Sequence, residues 1–423
     1  MKDLLVVTFP LSKKGGGAER TNNLVIRELK KRYDLKVLVP ISVVWMLYKK
    51  TKLDDEEKED LLSASEELDP DSSACLEYLL KVCKVYPSQL LTEVSCLRKY
   101  GACDPRAKVS LNLNGARSGS ALVDMKVVRS EMKLAYLHDY LELNSPRGSF
   151  YPYPSFDRRA HPIVKEAALT LDPGPPHYTY PLPPVLVQRT HQLLSFIVLK
   201  RYFKRLRLLI VPSPGALEEY PFLASFNVKT LDVCAPAEVG GETKSTRGDY
   251  FVLASSIACV RKGVLDAIFS WAHIPIDYDL VIPGDFPSER FERALKNLVK
   301  RLDIEEKVKF VGRLSHESFV RLMAESRGVL MPTYFDNCPL TGVEALALGK
   351  RLIVYDYPPV YYSLRNVSRI LGTEPEFVPQ GRYLELAMAA LEEREEGEPR
   401  SLDMRSLFLQ RTLNVIERIL NPL

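Results

Sequence analysis

Nothing in this 423-residue chain offers a ready metal cage: its seven cysteines, at 75, 83, 96, 103, 234, 259 and 338, include no C-x2-C pair, the spacing on which structural zinc sites are built. The four between 75 and 103 could form disulfides, as in an intracellular thermophile, with buried free thiols the plainer reading. Charge of one sign is scarce too, since 58 basic residues face 54 acids for a net of +4, far below the excess needed to wrap a nucleic acid. No nucleic-acid partner is expected. Long apolar runs are missing: the stretch from Val37 to Tyr48 is interrupted by Pro40 and Ser42 and falls short of the roughly 20 residues that span a bilayer. The opening "MKDLLVVTFPL" places Asp3 beside a strand's length of apolar residues, unlike a secretory signal. A cytoplasmic protein is the expectation.

What is present is a globular composition, 46% apolar and 26% charged, over a length that suits two domains. At the start, "DLLVVTF" reads as a buried strand, "KKGGGAER" as a glycine loop, "TNNLVIRELKKRY" as a helix and "LKVLVPI" as a second strand. That order is a βαβ unit, which implies parallel strands and an open α/β sheet. From about 51 to 130 the pattern weakens around "KLDDEEKED" and reads as helical elaboration. The segment 145–187 holds ten prolines and reads as a long extended loop. Beyond a polar linker at 239–249, strands and helices alternate regularly from "YFVLASS" to "RLIVYD", a second parallel sheet.

Chemistry concentrates in "YFDNCPLTGVEALALGK", residues 334–350. Pro339 suits a first helical turn, Asp336 or Asn337 suits a cap, and the amides of Leu340, Thr341 and Gly342 would then point outward at the positive end of the helix dipole. Such an end accepts an anion. Carboxylates at Asp336 and Glu344 would repel that anion, so their natural task is to accept hydrogen bonds from sugar or ribose hydroxyls. A capping acid plus a chance helical glutamate is the alternative reading of the same residues.

These residues resemble the family 4 retaining glycosyltransferases of the GT-B fold, glycosyltransferase group 1, whose signature is a glutamate, seven residues and a second glutamate. Here the pair is Asp336 and Glu344, the first acid one methylene shorter. The resemblance implies that Asp336 and Asn337 hold the donor sugar, Leu340 and Thr341 the diphosphate, and Glu344 the ribose. "SSIACVRKG" stands where the family has a glycine-arginine pair followed by lysine-glycine; Lys262-Gly263 match, the arginine is missing, and Arg261 is the neighbour that would replace it. "VKFVGRLSHESF" is similar to the nucleobase loop, which implicates Gly312, Arg313 and Leu314. "GGGAER" resembles the N-terminal glycine loop, with Gly16 and Gly17 near the donor, and "KLAYLHDYLEL" places His138 as the histidine facing the donor sugar. His138 and Asp336 are thus the implied catalytic residues.

The expected fold is α/β, GT-B, with two Rossmann-like domains facing a central cleft. Expected boundaries are 1–240 for an acceptor-side domain carrying the helical elaboration and the proline-rich loop, 250–400 for the nucleotide-sugar domain, and 401–423 for a helix packing back on the first domain. The resemblance implies transfer of a sugar, with retention, from a nucleotide diphosphate sugar to a glycan or lipid-linked acceptor. It implies no cofactor and no metal; the triplets Asp69-Pro70-Asp71 and Asp277-Tyr278-Asp279 read as incidental. A nucleotide-sugar epimerase or phosphorylase on the same fold, or a degenerate nucleotide-sugar-binding protein, are the alternatives.

One helix stands apart. From His191 to Arg207 it carries Lys200, Arg201, Lys204, Arg205 and Arg207 without an acid, beside Phe196, Tyr202 and Phe203. It reads either as a solvated face or as an interfacial helix on anionic lipid, which would make the protein peripheral on the inner membrane face.

Overall fold

The computed structural model describes residues 2–8, 17–40, 55–82, 106–114, 118–137, 159–171, 184–232, 246–255, 257–273, 275, 277–394, 397 and 403–420. The chain divides into two units, Met1–Ser145 with His191–Leu231 and Leu407–Leu423, and Pro146–Thr190 with Asp232–Ser406. Each is built on a parallel sheet of six strands.

In the first unit the strands are β1 (Lys2–Val7), β2 (Leu35–Leu38), β3 (Arg106–Asn112), β4 (Arg129–Tyr136), β5 (Leu208–Val211) and β6 (Val228–Thr230). They lie in the order β2-β1-β3-β4-β5-β6. Leu4 to Val7 and the whole of β5 are buried, as strands covered on both faces must be. The expected βαβ opening is present, with its helix at Gly17–Lys30, so Gly17 already belongs to the helix. The region from 51 to 130 departs from the sequence reading. It contains helices at Asp55–Leu68, Pro70–Val82 and Ser118–Lys126, but also β3, which pairs with both β1 and β4 near the middle of the sheet. Its first residues alternate exposed Arg106 and Lys108 with buried Ala107, which hides an otherwise apolar strand behind two cations. Cys75 is disulfide-bonded rather than a free thiol. Asp69 accepts the backbone N–H groups of Val37 and Asp71, at 2.9 and 3.3 Å, a structural task that absorbs the first Asp-x-Asp triplet.

Buried polar groups tie the carboxyl ends of β1 and β3 together. Asn22 Nδ2 donates to Thr8 Oγ1 at 3.0 Å and to Asn114 Oδ1 at 3.3 Å, and Ser120 donates to Asn112 Oδ1 at 2.8 Å. Strand order reverses here, because β2 lies on one side of β1 and β3 to β6 on the other.

The second unit holds β7 (Tyr250–Leu253), β8 (Asp279–Pro283), β9 (Val308–Gly312), β10 (Gly328–Met331), β11 (Leu352–Tyr355) and β12 (Glu376–Val378), in the order β12-β11-β10-β7-β8-β9. Regular helices connect them, including Val264–His273, Glu289–Arg301, His316–Ala324, Leu340–Ala347 and Pro358–Leu371. Tyr383–Leu391 follows β12 and packs on Val264–His273.

The proline-rich segment is the main correction. It was expected as an extended loop of the first domain, yet it includes the helix Pro162–Leu171, and that helix belongs to the second unit. Ala160, Val164, Ala168 and Leu171 enter the same apolar core as Val264, Leu265 and Ile268. Pro162 sits at the first helical turn, where a missing N–H costs nothing, and the residues after it are good helix formers. The helix Met404–Leu420 lies largely within Leu407–Leu423 of the first unit, where Glu417 pairs with Arg32.

Candidate functional site

In an open parallel sheet, ligands settle at the carboxyl ends of the strands where the strand order reverses. In the second unit that place lies between β7 and β10, since β8 and β9 continue to one side and β11 and β12 to the other. The loops leaving β7 and β10 carry Arg261, Lys262, Asp336 and Asn337. Topology therefore unites residues 74 positions apart in the chain.

The two loops are laced by backbone and side chain alike. The Tyr334 N–H donates to the Arg261 carbonyl at 2.9 Å, and Arg261 Nη1 returns a bond to the Phe335 carbonyl at 2.8 Å. Lys262 Nζ and the Asp336 carboxylate form an ion pair. Gly263 makes this closeness possible: at φ 74° it adopts a left-handed turn after the short 3-10 helix Val260–Lys262, and a Cβ there would lie 2.0 Å from the Pro332 carbonyl oxygen. Burial alone would push the Asp336 carboxyl up. Lys262, Arg261 and hydrogen bonds from Lys262 and the Asn337 N–H outweigh it and hold the group below the ordinary aspartate value.

Behind the loop stands a buried carboxylate. Asp266 Oδ1 accepts the hydroxyls of Tyr334 at 2.7 Å and Tyr355 at 2.8 Å, so the helix Val264–His273 grips the start of the β10 loop and the end of β11. Gln380 Nε2 donates to the Tyr334 carbonyl at 3.0 Å, and Ser363 Oγ to the Asn337 carbonyl at 3.1 Å. The loop is held from four elements.

The helix Leu340–Ala347 follows, with Pro339 at the N-cap and no capping side chain. The expectation of a cap from Asp336 or Asn337 is therefore corrected: Asp336 Oδ1 accepts the adjacent Asn337 N–H at 3.0 Å instead. Leu340 is corrected as well, because its N–H donates to the Cys338 carbonyl at 2.9 Å. Val343 makes the bond to the Pro339 carbonyl, at 3.0 Å, which leaves Thr341 and Gly342 ahead of it in the first turn. Glu344 is 5% exposed, and its carboxylate lies 3.7 Å from His316 Nε2, a residue the sequence reading passed over. His316 opens one helix and Glu344 lies in another, so only the packing of the two brings them together.

The remaining expected residues are spread more widely. Gly312 ends β9 at φ 69°, with open space where a Cβ would stand. Its carbonyl accepts the Gly284 N–H at 2.8 Å, and the exposed Arg313 pairs with Asp285 at 3.1 Å. Leu314 is half-buried. Gly17 opens the helix Gly17–Lys30 in the first unit, while Gly16 and His138 lie outside the described residues. The structure thus gathers Arg261, Lys262, Asp336 and Asn337 by direct contact, with Thr341 and Glu344 on the helix that follows.

Comparison with known proteins fits this geometry. Residues 242–370 match the family model of glycosyl transferases group 1. A protein of Haemophilus influenzae described as an uncharacterized glycosyltransferase is 36% identical over 84 residues, which are 20% of this chain and 22% of that protein. The chain thus spans about a fifth of that relative's length. Among solved structures, sucrose-phosphate synthase from Thermosynechococcus elongatus aligns over 100% of both chains with a TM-score of 0.59 and 13% identity. Anabaena HepE in complex with UDP-glucose aligns over 100% of both with a TM-score of 0.57 and 15% identity. At such identities the likeness is one of fold, and the fold is GT-B, two Rossmann-like units each on a parallel sheet.

Proposed function

We propose that the chain is a glycosyltransferase that takes a sugar, with retention of configuration, from a nucleoside diphosphate sugar. The observation that carries this reading is the Lys262–Asp336 pair at the reversal of strand order, within the segment that matches glycosyl transferases group 1. A departing diphosphate gathers negative charge as the glycosidic bond breaks. Lys262, Arg261 and the first-turn N–H groups of Thr341 and Gly342 supply fixed positive charge for it. Asp336 and Asn337 would hold sugar hydroxyls, and Glu344 the ribose.

The test of the donor site uses UDP, the nucleotide present in a HepE complex. Glu344→Ala should weaken UDP binding by about 1–3 kcal/mol, the scale of a hydrogen bond to a charged group. Calorimetry on the folded variant showing unchanged affinity would remove Glu344 from the site.

Because side-chain cations and helix amides do the neutralising, turnover should be independent of added metal. Activity that vanishes in excess EDTA and returns with magnesium or manganese would point to a metal-bridged diphosphate instead. The acceptor in this reading is a lipid-linked sugar met at a membrane surface. The exposed cations Lys200, Arg201, Lys204 and Arg205 support it, and no helix among the described residues is long and apolar enough to cross a membrane.

A further inference from the structure

The helix Pro184–Phe203 and the turn after it present two unlike faces. Ser195, Leu199, Tyr202 and Phe203 are buried in the first unit, and Phe196 packs edge-on against Phe222 with centroids 5.3 Å apart. Phe203 does the same with Phe226 at 5.6 Å. These aromatics are therefore anchors to the protein, not side chains free to enter a lipid boundary.

The outer face carries something the sequence reading did not single out. Leu193, Leu194 and Ile197 are 45%, 58% and 40% exposed, and Lys200, Arg201, Lys204 and Arg205 are exposed beyond them. At 3.6 residues per turn, positions 193, 197, 200 and 204 form one row, and 194, 201 and 205 form the row beside it. One stripe therefore runs from three apolar side chains into four cations. No acid occurs between residues 184 and 207, and among the described residues no ion pair engages these cations.

A face that is only basic is content in water, and one that is only apolar asks for a protein partner. We infer that this stripe lays the first unit on an anionic lipid surface, with Leu193, Leu194 and Ile197 entering the headgroup boundary and Lys200, Arg201, Lys204 and Arg205 meeting lipid phosphates. A bilayer surface has both required layers in adjacent depths, apolar chains beneath anionic headgroups. The inference deepens the lipid-linked acceptor reading, yet it stands on the stripe alone.

Vesicle sedimentation at low salt tests it, using phosphatidylcholine with and without phosphatidylglycerol. The wild-type protein should sediment with the anionic vesicles and release as salt is raised. Each cation near such a surface is worth about fivefold in partitioning, so Lys200→Gln, Arg201→Gln, Lys204→Gln and Arg205→Gln together should lower it by about a hundredfold or more. Leu193→Ser, Leu194→Ser and Ile197→Ser together should lower it by about tenfold and leave a residue that salt removes entirely. All seven side chains are exposed, so both variants should keep the wild-type circular dichroism. A wild type that ignores anionic vesicles overturns the inference. So does an apolar variant that binds vesicles like wild type, which would assign the stripe to soluble polyanions. UDP affinity is measured on each protein in parallel: a wild type that binds vesicles but not UDP counts against the donor site and leaves the docking face standing.

Discussion

Lys262→Ala should lower turnover by about 100- to 1000-fold, the usual cost of deleting one preorganised group that stabilises transition-state charge. Donor affinity should fall far less than the rate, because the charge Lys262 neutralises is greatest as the diphosphate leaves. The substitution also strands Asp336. With its folded value held below the unfolded one, Asp336 contributes stability that is present above the unfolded aspartate range and lost as pH falls through the folded value. Without Lys262 that contribution shrinks, so urea unfolding should show the variant weaker by about 1–3 kcal/mol at neutral pH, with the gap closing as acid protonates the Asp336 carboxylate. Single-turnover rates within threefold of wild type would exclude Lys262 from the chemistry.

Gly263→Ala should be among the most damaging single methyls in the second unit, at roughly 3–5 kcal/mol of stability. Two costs combine. The left-handed turn disfavours any side chain, and the new Cβ would meet the Pro332 carbonyl at 2.0 Å, where backbone rather than a flexible side chain must give way. Relief requires the β7 and β10 loops to part, which stretches the Arg261–Phe335 bond and the Lys262–Asp336 pair. Thermal unfolding reads the loss directly, and a variant with a wild-type midpoint would show that the loops can slide at no cost.

The second sheet was legible because its strands are short continuous apolar runs, such as "GVLM" and "RLIVYD", separated by amphipathic helices. The first sheet was less so. β3 begins with alternating cations, which mask a strand that is internal to the sheet. The helix Pro162–Leu171 was hidden by composition: ten prolines over 145–187 suggest an extended chain, although only Pro162 falls within the helix and it falls at its start. At the site, residue types and spacing pointed to Lys262, Asp336 and Glu344 individually. That Lys262 and Asp336 pair, that the Leu340 N–H is engaged, and that His316 stands by Glu344 depend on how loops from separate strands meet, which spacing does not encode.

The allocation of chain to the two units has a consequence for how the molecule comes to be made. The path runs from the first unit to the second at Pro146, back at His191, out again at Asp232 and home at Leu407. Domains tend to fold as units while the chain is synthesised, the N-terminal one first. Here the first unit cannot finish in that order, since Leu407–Leu423 emerge only after the whole of the second unit. The second unit, for its part, needs the helix Pro162–Leu171, made before β5 of the first, to cover Val264 and Ile268. Neither unit is a separable cassette, and a fragment cut at the linker near residue 240 should emerge with an apolar face of its core uncovered and a tendency to aggregate.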